Sequence, residues 1–411
     1  MDIGVMQFKD NEEIKYFRVP DGTRAIRAKA FENCVNLREI WLPVSLKNID
    51  MKAFHGCRSL DRIHYAGTET EWEKVEISPV GTECLRAENS ALLEAKRDRE
   101  YNRPSGNEDV YEKISGLLVK PDGGLHIIPV KLWQPGVYGK TGDMTLILFP
   151  EGKSMLIDTG YCANWPAVRR FLDRVRLDHL DFMAFSHADP DHVTNARAIG
   201  EYLYRRGGSV GRFLWTGQKY GAVVDDFEAF LRERHVFMDC AVLAGRTFAV
   251  DGARILVLNP DAQEIRECAN EGSVRNNQSM ALKITYGKAS FLTSGDLYES
   301  QEKKMVSVYG ERLKAAVMKV NHHGAYTSSC DAWLGAVQPE FAFTENNDNG
   351  DSGLSETLRK NAIRYASTGW QGTMLVSLYR DGSWKVQGEY PPGEHNLQRI
   401  AVRPDLLICG A

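Results

Sequence analysis

The sequence predicts a layered α/β domain preceded by a short stack of repeats, and three observations carry that prediction. Near the amino end, Ala30-Phe31 with Cys34 and Leu37 returns 23 residues later as Ala53-Phe54 with Cys57 and Leu60. From Leu125 onward, short β-prone runs alternate with helix-like stretches. Within that part, the apolar run Phe182-Met-Ala-Phe185 reads as the end of a buried strand and leads into Ser186-His187-Ala-Asp189-Pro-Asp191-His192. Metal-binding side chains at the carboxyl end of a strand sit where a layered α/β fold places its site.

Composition bounds the answer. The 411 residues allow two or three domains, and 43% hydrophobic residues suffice for a substantial core. A formal net charge of -4 and a pI near 6.2 give no global attraction to polyanions, so contact with nucleic acid would need a local basic patch or bound metals. No run approaches the ~18 apolar residues of a membrane span, and Met1 to Val5 lacks the features of a signal peptide. A protein without membrane contact, located in the cytoplasm, is the expectation. Eight scattered cysteines with no CxxC pair fit reduced thiols better than a disulfide framework or a structural zinc site.

In chain order, the repeats come first, over residues 1–80. Val19-Pro20 with Ile26 and Leu42-Pro43 with Ile49 share the 23-residue offset. A period of 20 to 29 residues is the leucine-rich-repeat signature, in which each unit adds one strand and one short helical segment to a shared stack. The pattern Ala-Phe-x-x-Cys-x-x-Leu, with a closing unit around Tyr65-Ala-Gly67-Thr68 and Trp72, resembles the BspA-like leucine-rich repeats. Cys34 and Cys57 read as small inward-facing core residues. So short a stack leans on a neighbour or a protein partner. Residues 81–122 read as a connecting helix, Cys84 to Glu100, followed by a linker broken by Asn102-Arg-Pro104-Ser-Gly106.

Leu125 to Val130, Thr145 to Phe149 and Ser154 to Ile157 read as strands, the last running into Asp158-Thr-Gly160. Asp158 either holds that turn or orients the neighbouring loop by hydrogen bonds. A helix is expected from Trp165 to Val175. Two imidazoles and two carboxylates within six residues, His187 to His192, are costly unless something positive sits among them, and a pair of divalent cations answers that need. Without metal, the same stretch is a solvated turn in which Asp191 caps the following helix. Thr327-Ser328-Ser329 reads as the cap of a helix from Cys330 to Val337, and its hydroxyls and N-H groups are candidates to meet a phosphate. Lys319 and Arg275 add positive charge nearby, although a lone Lys beside a strand is more often solvated. Further on come a helix from Leu354 to Tyr365, a strand from Thr373 to Tyr379, and a hairpin through Arg380-Asp381-Gly382-Ser383. Residues 391–411 read as an extended tail.

Taken together, Asp158-Thr-Gly160, His187-x-Asp189-x-Asp191-His192, Gly295-Asp296 and His322-His323-Gly324 resemble the metallo-β-lactamase-fold hydrolases, over roughly residues 123–390. Asp189 in place of a second His, Gly142-Asp143, and Asn276-Asn277-Gln-Ser279 place the likeness with the ComEC/Rec2-type branch. The resemblance implies an αββα sandwich and two divalent metal ions. His187 and Asp189 would face one metal, Asp191 and His192 the other, and Asp296 would bridge them. One of His322 and His323 would complete the second shell, the other touching substrate or donating a proton. Asn277 stands about where relatives supply a third His, and the oxygen-rich set shifts the expectation from Zn²⁺ toward Mn²⁺ or Mg²⁺.

Two such cations can lower the pKa of a bridging water and clamp a phosphoryl or carbonyl oxygen, so hydrolysis is the expected reaction. The branch implies cleavage of a phosphodiester in nucleic acid or a nucleotide. Hydrolysis of a small ester, lactone or thioester, and an interaction protein with a regulatory hydrolase domain, are the alternatives. Ala325 after His323-Gly324, Val193-Thr194-Asn195, and Glu345 to Asn349 depart from the branch pattern and bear on substrate and pocket shape.

Overall fold

The structure is a computed structural model that describes residues 2–57, 59–60, 62–66, 69–72, 74–78, 109–132, 142–218, 221–266, 272–345 and 354–389. The expected connecting helix from Cys84 to Glu100, residues 346–349 and the tail from 391 lie outside them. The chain divides into two compact units, one made of the repeats and the other holding the described residues from Asp109 onward. Among the described residues no helix is long and apolar enough to cross a membrane.

The repeats form two ladders of short parallel strands. One is β1 (Asp2–Ile3), β3 (Ala25–Ile26), β5 (Asn48–Ile49) and β7 (Glu76–Ile77); the other is β2 (Tyr16–Arg18), β4 (Glu39–Leu42) and β6 (Arg62–Tyr65). The 23-residue offset is visible in the pairing, where Ala25 meets Asn48 and Tyr16 meets Glu39. In the repeats before the closing unit the expected short helical segment is a turn, and the one short helix among the described residues of this unit is Glu69–Trp72. In that turn the N-H groups alternate between the next repeat, with Phe8 N to Ala30 O and Phe31 N to Ala53 O both at 2.7 Å, and their own segment, with Ala30 N to Arg27 O and Cys34 N to Phe31 O both at 3.1 Å. Phe8, Phe31 and Phe54 stack with centroids 5.0 Å apart at each step. Cys34 and Cys57 are buried, each thiol donating to a carbonyl one repeat back, Phe8 O and Phe31 O, at 3.0 Å.

The second unit is an αββα sandwich. Its first sheet runs in the order β13 (Phe237–Asp239), β12 (Ser209–Leu214), β11 (His179–Ala184), β10 (Ser154–Ile157), β9 (Thr145–Leu148), β8 (Leu125–Pro129), β21 (Met374–Leu378), β22 (Trp384–Gly388). Its second sheet is β14 (Thr247–Val250), β15 (Ala253–Asn259), β16 (Ala281–Tyr286), β17 (Ala289–Thr293), β18 (Val317–Lys319), β19 (Phe341–Thr344), β20 (Arg364–Ser367). Ile127, Ile147, Met155, Ile255, Leu282 and Phe291 fill the space between the sheets. The outer face of the first sheet is covered by the helices Val110–Val119, Trp165–Val175, Ala196–Arg205 and Gly221–Arg232, and that of the second by Glu299–Tyr309, Asp331–Val337 and Leu354–Lys360. Helix Val110–Val119, within the stretch expected as a linker, buries Val110, Tyr111, Ile114 and Leu117 in this core.

Strand direction sets the site. β10 and β11 are parallel neighbours in one sheet, as are β17, β18 and β19 in the other. Their carboxyl ends deliver Asp158, His187 to His192, Asp296, His322-His323 and Glu345 to one end of the sandwich.

Candidate metal centre

Asp296 is the hub of this end. It leaves β17 through Gly295, whose φ of +56° and near approach to Ser186 and Ser279, 2.8 Å from where a Cβ would stand, leave room for glycine alone. Its Oδ2 lies 3.2 Å from Nε2 of both His192 and His323, 3.9 Å from Nε2 of His187 and 4.0 Å from Nε2 of His322. Asp189 Oδ2 is 3.9 Å from His187 Nε2, and Asp191 Oδ2 is 3.4 Å from His323 Nε2. Asp191, His187, His192 and Asp296 are buried.

Four imidazole nitrogens aimed at one carboxylate oxygen form a poor hydrogen-bond network. His187 Nε2 and Asp296 Oδ1 are buried and make no hydrogen bond. A divalent cation would satisfy both nitrogen lone pairs and carboxylate oxygens, so these residues fit one. Asp143, His192, Asp296 and His323 each place a donor atom within 4.8 Å of the others. Of these, Asp143 is already spent on its neighbours, with Oδ2 at 2.5 Å from Lys319 Nζ and Oδ1 at 2.9 Å from His323 Nδ1.

The supporting groups hold the imidazoles in place. Asp158 accepts from Ser186 N and Oγ, both at 2.7 Å, and pairs with His192 Nδ1 at 2.9 Å, which leaves His192 Nε2 facing Asp296. It does so from the left-handed region, φ +61°. Gly142, at φ +71°, lies where a Cβ would strike the carbonyl of Asp191, so the loop before β9 packs directly under the aspartate. His322 and His323 both have positive φ, 50° and 52°, which turns the two rings in different directions. His323 faces Asp191 and Asp296, whereas His322 Nδ1 pairs with Thr327 Oγ1 at 2.8 Å and its ring lies 5.0 Å from that of Tyr298.

The electrostatics follow from burial and the crowding of charges. Burial and the neighbouring His192 push the His187 imidazole well below its ordinary value. His192 is raised, because Asp296 and Asp158 outweigh its burial. Burial likewise opposes His323, and Asp143 and Asp296 raise it well above its ordinary value. Burial works against the Asp143 carboxylate, yet His323 and Lys319 hold it down at about 2. Glu345, bonded to Thr145 Oγ1 at 2.9 Å, is pushed up to about 8 by burial and by Asp143.

Several expectations change. Asn277 does not sit among the imidazoles: its Oδ1 accepts from Tyr298 N and its Nδ2 donates to Ser300 Oγ, which ties two loops together. Thr327-Ser328-Ser329 does not cap helix Asp331–Val337. Glu302 reaches across from another helix and accepts from Ser329 N at 2.6 Å and Cys330 N at 2.9 Å, so those N-H groups are not open to a phosphate. Ser329 Oγ accepts from Asn321 N instead. Lys319 is buried against Asp143 rather than solvated. Asp191 lies inside the short helix Pro190–Val193 with its carboxylate toward His323, so it is no helix cap. Sequence reasoning noted Asp143 only as a motif detail and missed Glu345 as a buried acid; Gly142-Asp143 was the one signal available.

Comparison with known proteins fits both units. Residues 1–75 match six copies of the BspA type leucine rich repeat region. The chain is 25% identical over 259 residues to Competence protein ComA of Neisseria gonorrhoeae, covering 62% of this chain and 33% of that protein. It is 25% identical over 228 residues to ComE operon protein 3 of Bacillus subtilis, covering 54% and 27%, and 24% identical over 261 residues to Recombination protein 2 of Haemophilus influenzae, covering 61% and 29%. The match thus spans about a third or less of these curated relatives. The metallo-β-lactamase-fold protein YhfI of Bacillus subtilis is 12% identical, with a TM-score of 0.40 over 60% of this chain and 96% of that one. That overlay is loose, and the αββα assignment stands on the two packed sheets themselves. The resemblance read from the motifs, to BspA-type repeats and to the ComEC/Rec2-type metallo-β-lactamase fold, is borne out. The cytoplasmic expectation is not. Its basis was the lack of an apolar run and of signal-peptide features, and the three relatives named above are each about three times or more the length of the shared segment, so the compartment does not follow from that lack.

Proposed function

We propose that this chain is a dinuclear, divalent-metal-dependent phosphodiesterase acting on nucleic acid or a nucleotide. The observation that carries the reading is the single oxygen of Asp296 facing the Nε2 atoms of four histidines at 3.2 to 4.0 Å. In this reading His187 and Asp189 hold one metal, Asp191, His192 and His323 hold the other, and Asp296 lies between them. His323 rather than His322 is the ligand, because its Nε2 also meets Asp191. A metal pair there supplies a water made acidic enough to ionise near neutral pH and a positive clamp for a phosphoryl oxygen. Asp158 and Asp143 fix the tautomers of His192 and His323 through their Nδ1 atoms, so that both Nε2 atoms face the metals. Arg275, whose Nε is 3.4 Å from Asp189 Oδ1, places a cation at the rim for an anionic substrate. The assigned ligands are three imidazoles and three carboxylates, a mixed nitrogen and oxygen set open to Mn²⁺ and Zn²⁺ alike. The names of the relatives, competence and recombination proteins, support nucleic acid as the substrate class. The repeats are assigned the recruitment of a protein partner.

The test is hydrolysis of single- and double-stranded DNA, RNA, cyclic dinucleotides and bis-p-nitrophenyl phosphate by metal-stripped protein with Mn²⁺, Mg²⁺ or Zn²⁺ restored. Cleavage that requires added metal and falls to the uncatalysed level in Asp191→Ala is expected. If metal binds and none of these phosphodiesters is cut, the reading fails and carboxylic esters are the next substrates.

A further inference from the structure

Beside the turn that carries the paired histidines lies an open groove of about 480 Å³, within the size range of small-molecule sites. Helix Glu299–Tyr309 contributes Glu299 and Lys303 to the lining, the turn itself Tyr326 and Ser328, and Asp331 and Leu354 add to it. The turn is compact: Ala325 N bonds to His322 O at 2.8 Å, and Thr327 Oγ1 pairs with His322 Nδ1. Tyr326 follows His323 by three residues, so their Cα atoms are at most ~11 Å apart. Tyr326 is 89% exposed, an unusual state for a large ring on a well-packed domain.

The charges decide what fits. Among the described residues lining the groove, Lys303 is the one cation, and it is held by Glu299 at 2.6 Å. Asp331 adds a further carboxylate. The groove therefore does not suit a second phosphate. It suits a flat, uncharged ring with hydrogen-bonding edges, which can stack on the open face of Tyr326 and meet the hydroxyl and carboxylate groups around it. We propose that this groove is a nucleobase subsite, in which a base of the substrate stacks on Tyr326 while its phosphodiester lies at the neighbouring metal centre. This rests on the phosphodiesterase reading and narrows its substrates to diesters that carry a base able to leave the stack, namely single-stranded nucleic acid or nucleotide diesters.

Two measurements on the full chain test it. The first is the ratio of kcat/KM for the p-nitrophenyl ester of thymidine 5′-phosphate to that for methyl p-nitrophenyl phosphate, which has no base. Tyr326→Ala is expected to lower this ratio by about 5- to 150-fold, through KM, and Tyr326→Trp to restore it. The second is binding of thymidine and adenosine 5′-monophosphates by equilibrium dialysis, which needs no turnover. It is expected to weaken in Tyr326→Ala and to be held in Tyr326→Trp. If both diesters are inert but nucleotide binding still depends on the ring, the phosphodiesterase reading falls and the subsite stands. If the diesters are cut and neither ratio nor binding responds to Tyr326, the subsite is overturned and the phosphodiesterase reading survives.

Discussion

The repeat stack and the metal end of the sandwich are built on opposite plans. In the stack, contacts recur from repeat to repeat: Phe31 lies between Phe8 and Phe54, each 23 positions away, and each buried thiol donates to a Phe carbonyl of the preceding repeat. At the metal end the partners are unlike and remote. His323 Nδ1 bonds Asp143, 180 residues earlier, and Asp158 orients His192, 34 residues later. A periodic stack spreads its stability over nearest-neighbour contacts, whereas the site depends on a few charges arriving from several strand ends. Damage to the first should be structural and local, and damage to the second chemical.

The largest effect that sharpens this contrast is in the stack. Phe31 is fully buried between two stacked rings, so Phe31→Ala should cost about 3–5 kcal/mol of repeat stability. Urea unfolding should show the repeat transition moving to lower midpoint while stoichiometric Mn²⁺ binding by the native protein persists. Loss of metal binding along with the repeats would break the contrast. At the other end, Asp158→Asn keeps the volume and a residue tolerant of positive φ, but replaces one accepting oxygen by a donor. Ser186 and His192 Nδ1 then compete for a single oxygen. Metal affinity, measured by titration calorimetry, should fall about 10- to 100-fold with the unfolding midpoint little changed. Unchanged affinity would mean that His192 needs no orienting partner.

How much of each plan was legible in the sequence follows from the same difference. Periodicity is a local property, so the repeats, their offset and the inward cysteines could be read directly. The helical segment forms only in the closing unit, at Glu69–Trp72; in the turns before it alternate N-H groups bond across to the next repeat, a choice that composition does not express. In the site, His187 to His192 and His322-His323 were legible because the ligand types are crowded in sequence. Lys319 was legible as a charge near the site but not as a buried one, and Glu345 not as a site acid, since each is unremarkable until β18 and β19 bury it beside Asp143. Thr327 to Ser329 misled for a related reason: a local cap is the usual partner of a helix end, but Glu302, 27 residues before Ser329, outcompetes it.

The smallest prediction asks whether every buried histidine of the sandwich belongs to the chemistry. His126 on β8 is buried, with Nδ1 at 2.9 Å from Ser377 Oγ and Nε2 at 2.8 Å from Asp122 Oδ1. Burial holds it below its ordinary value despite the pull of Asp122, with Lys385 and Lys113 adding to the depression. The unfolded chain protonates this imidazole near its ordinary value of about 6.5, while the folded chain resists. Below that pH the unfolded state binds more protons, so this residue's contribution to stability falls as pH drops from about 6.5 to the lowered folded value, by up to ~1.4 kcal/mol for each unit of depression. The histidines of the metal end titrate in wild type and in His126→Asn alike and cancel in the difference. Urea midpoints between pH 5.5 and 8 should therefore run parallel above about pH 7.5, with wild type losing ground to the variant below about 6.5. Parallel curves throughout would show that Asp122 compensates burial in full, and that a buried imidazole can be as neutral to pH in this core as the stacked rings of the repeats.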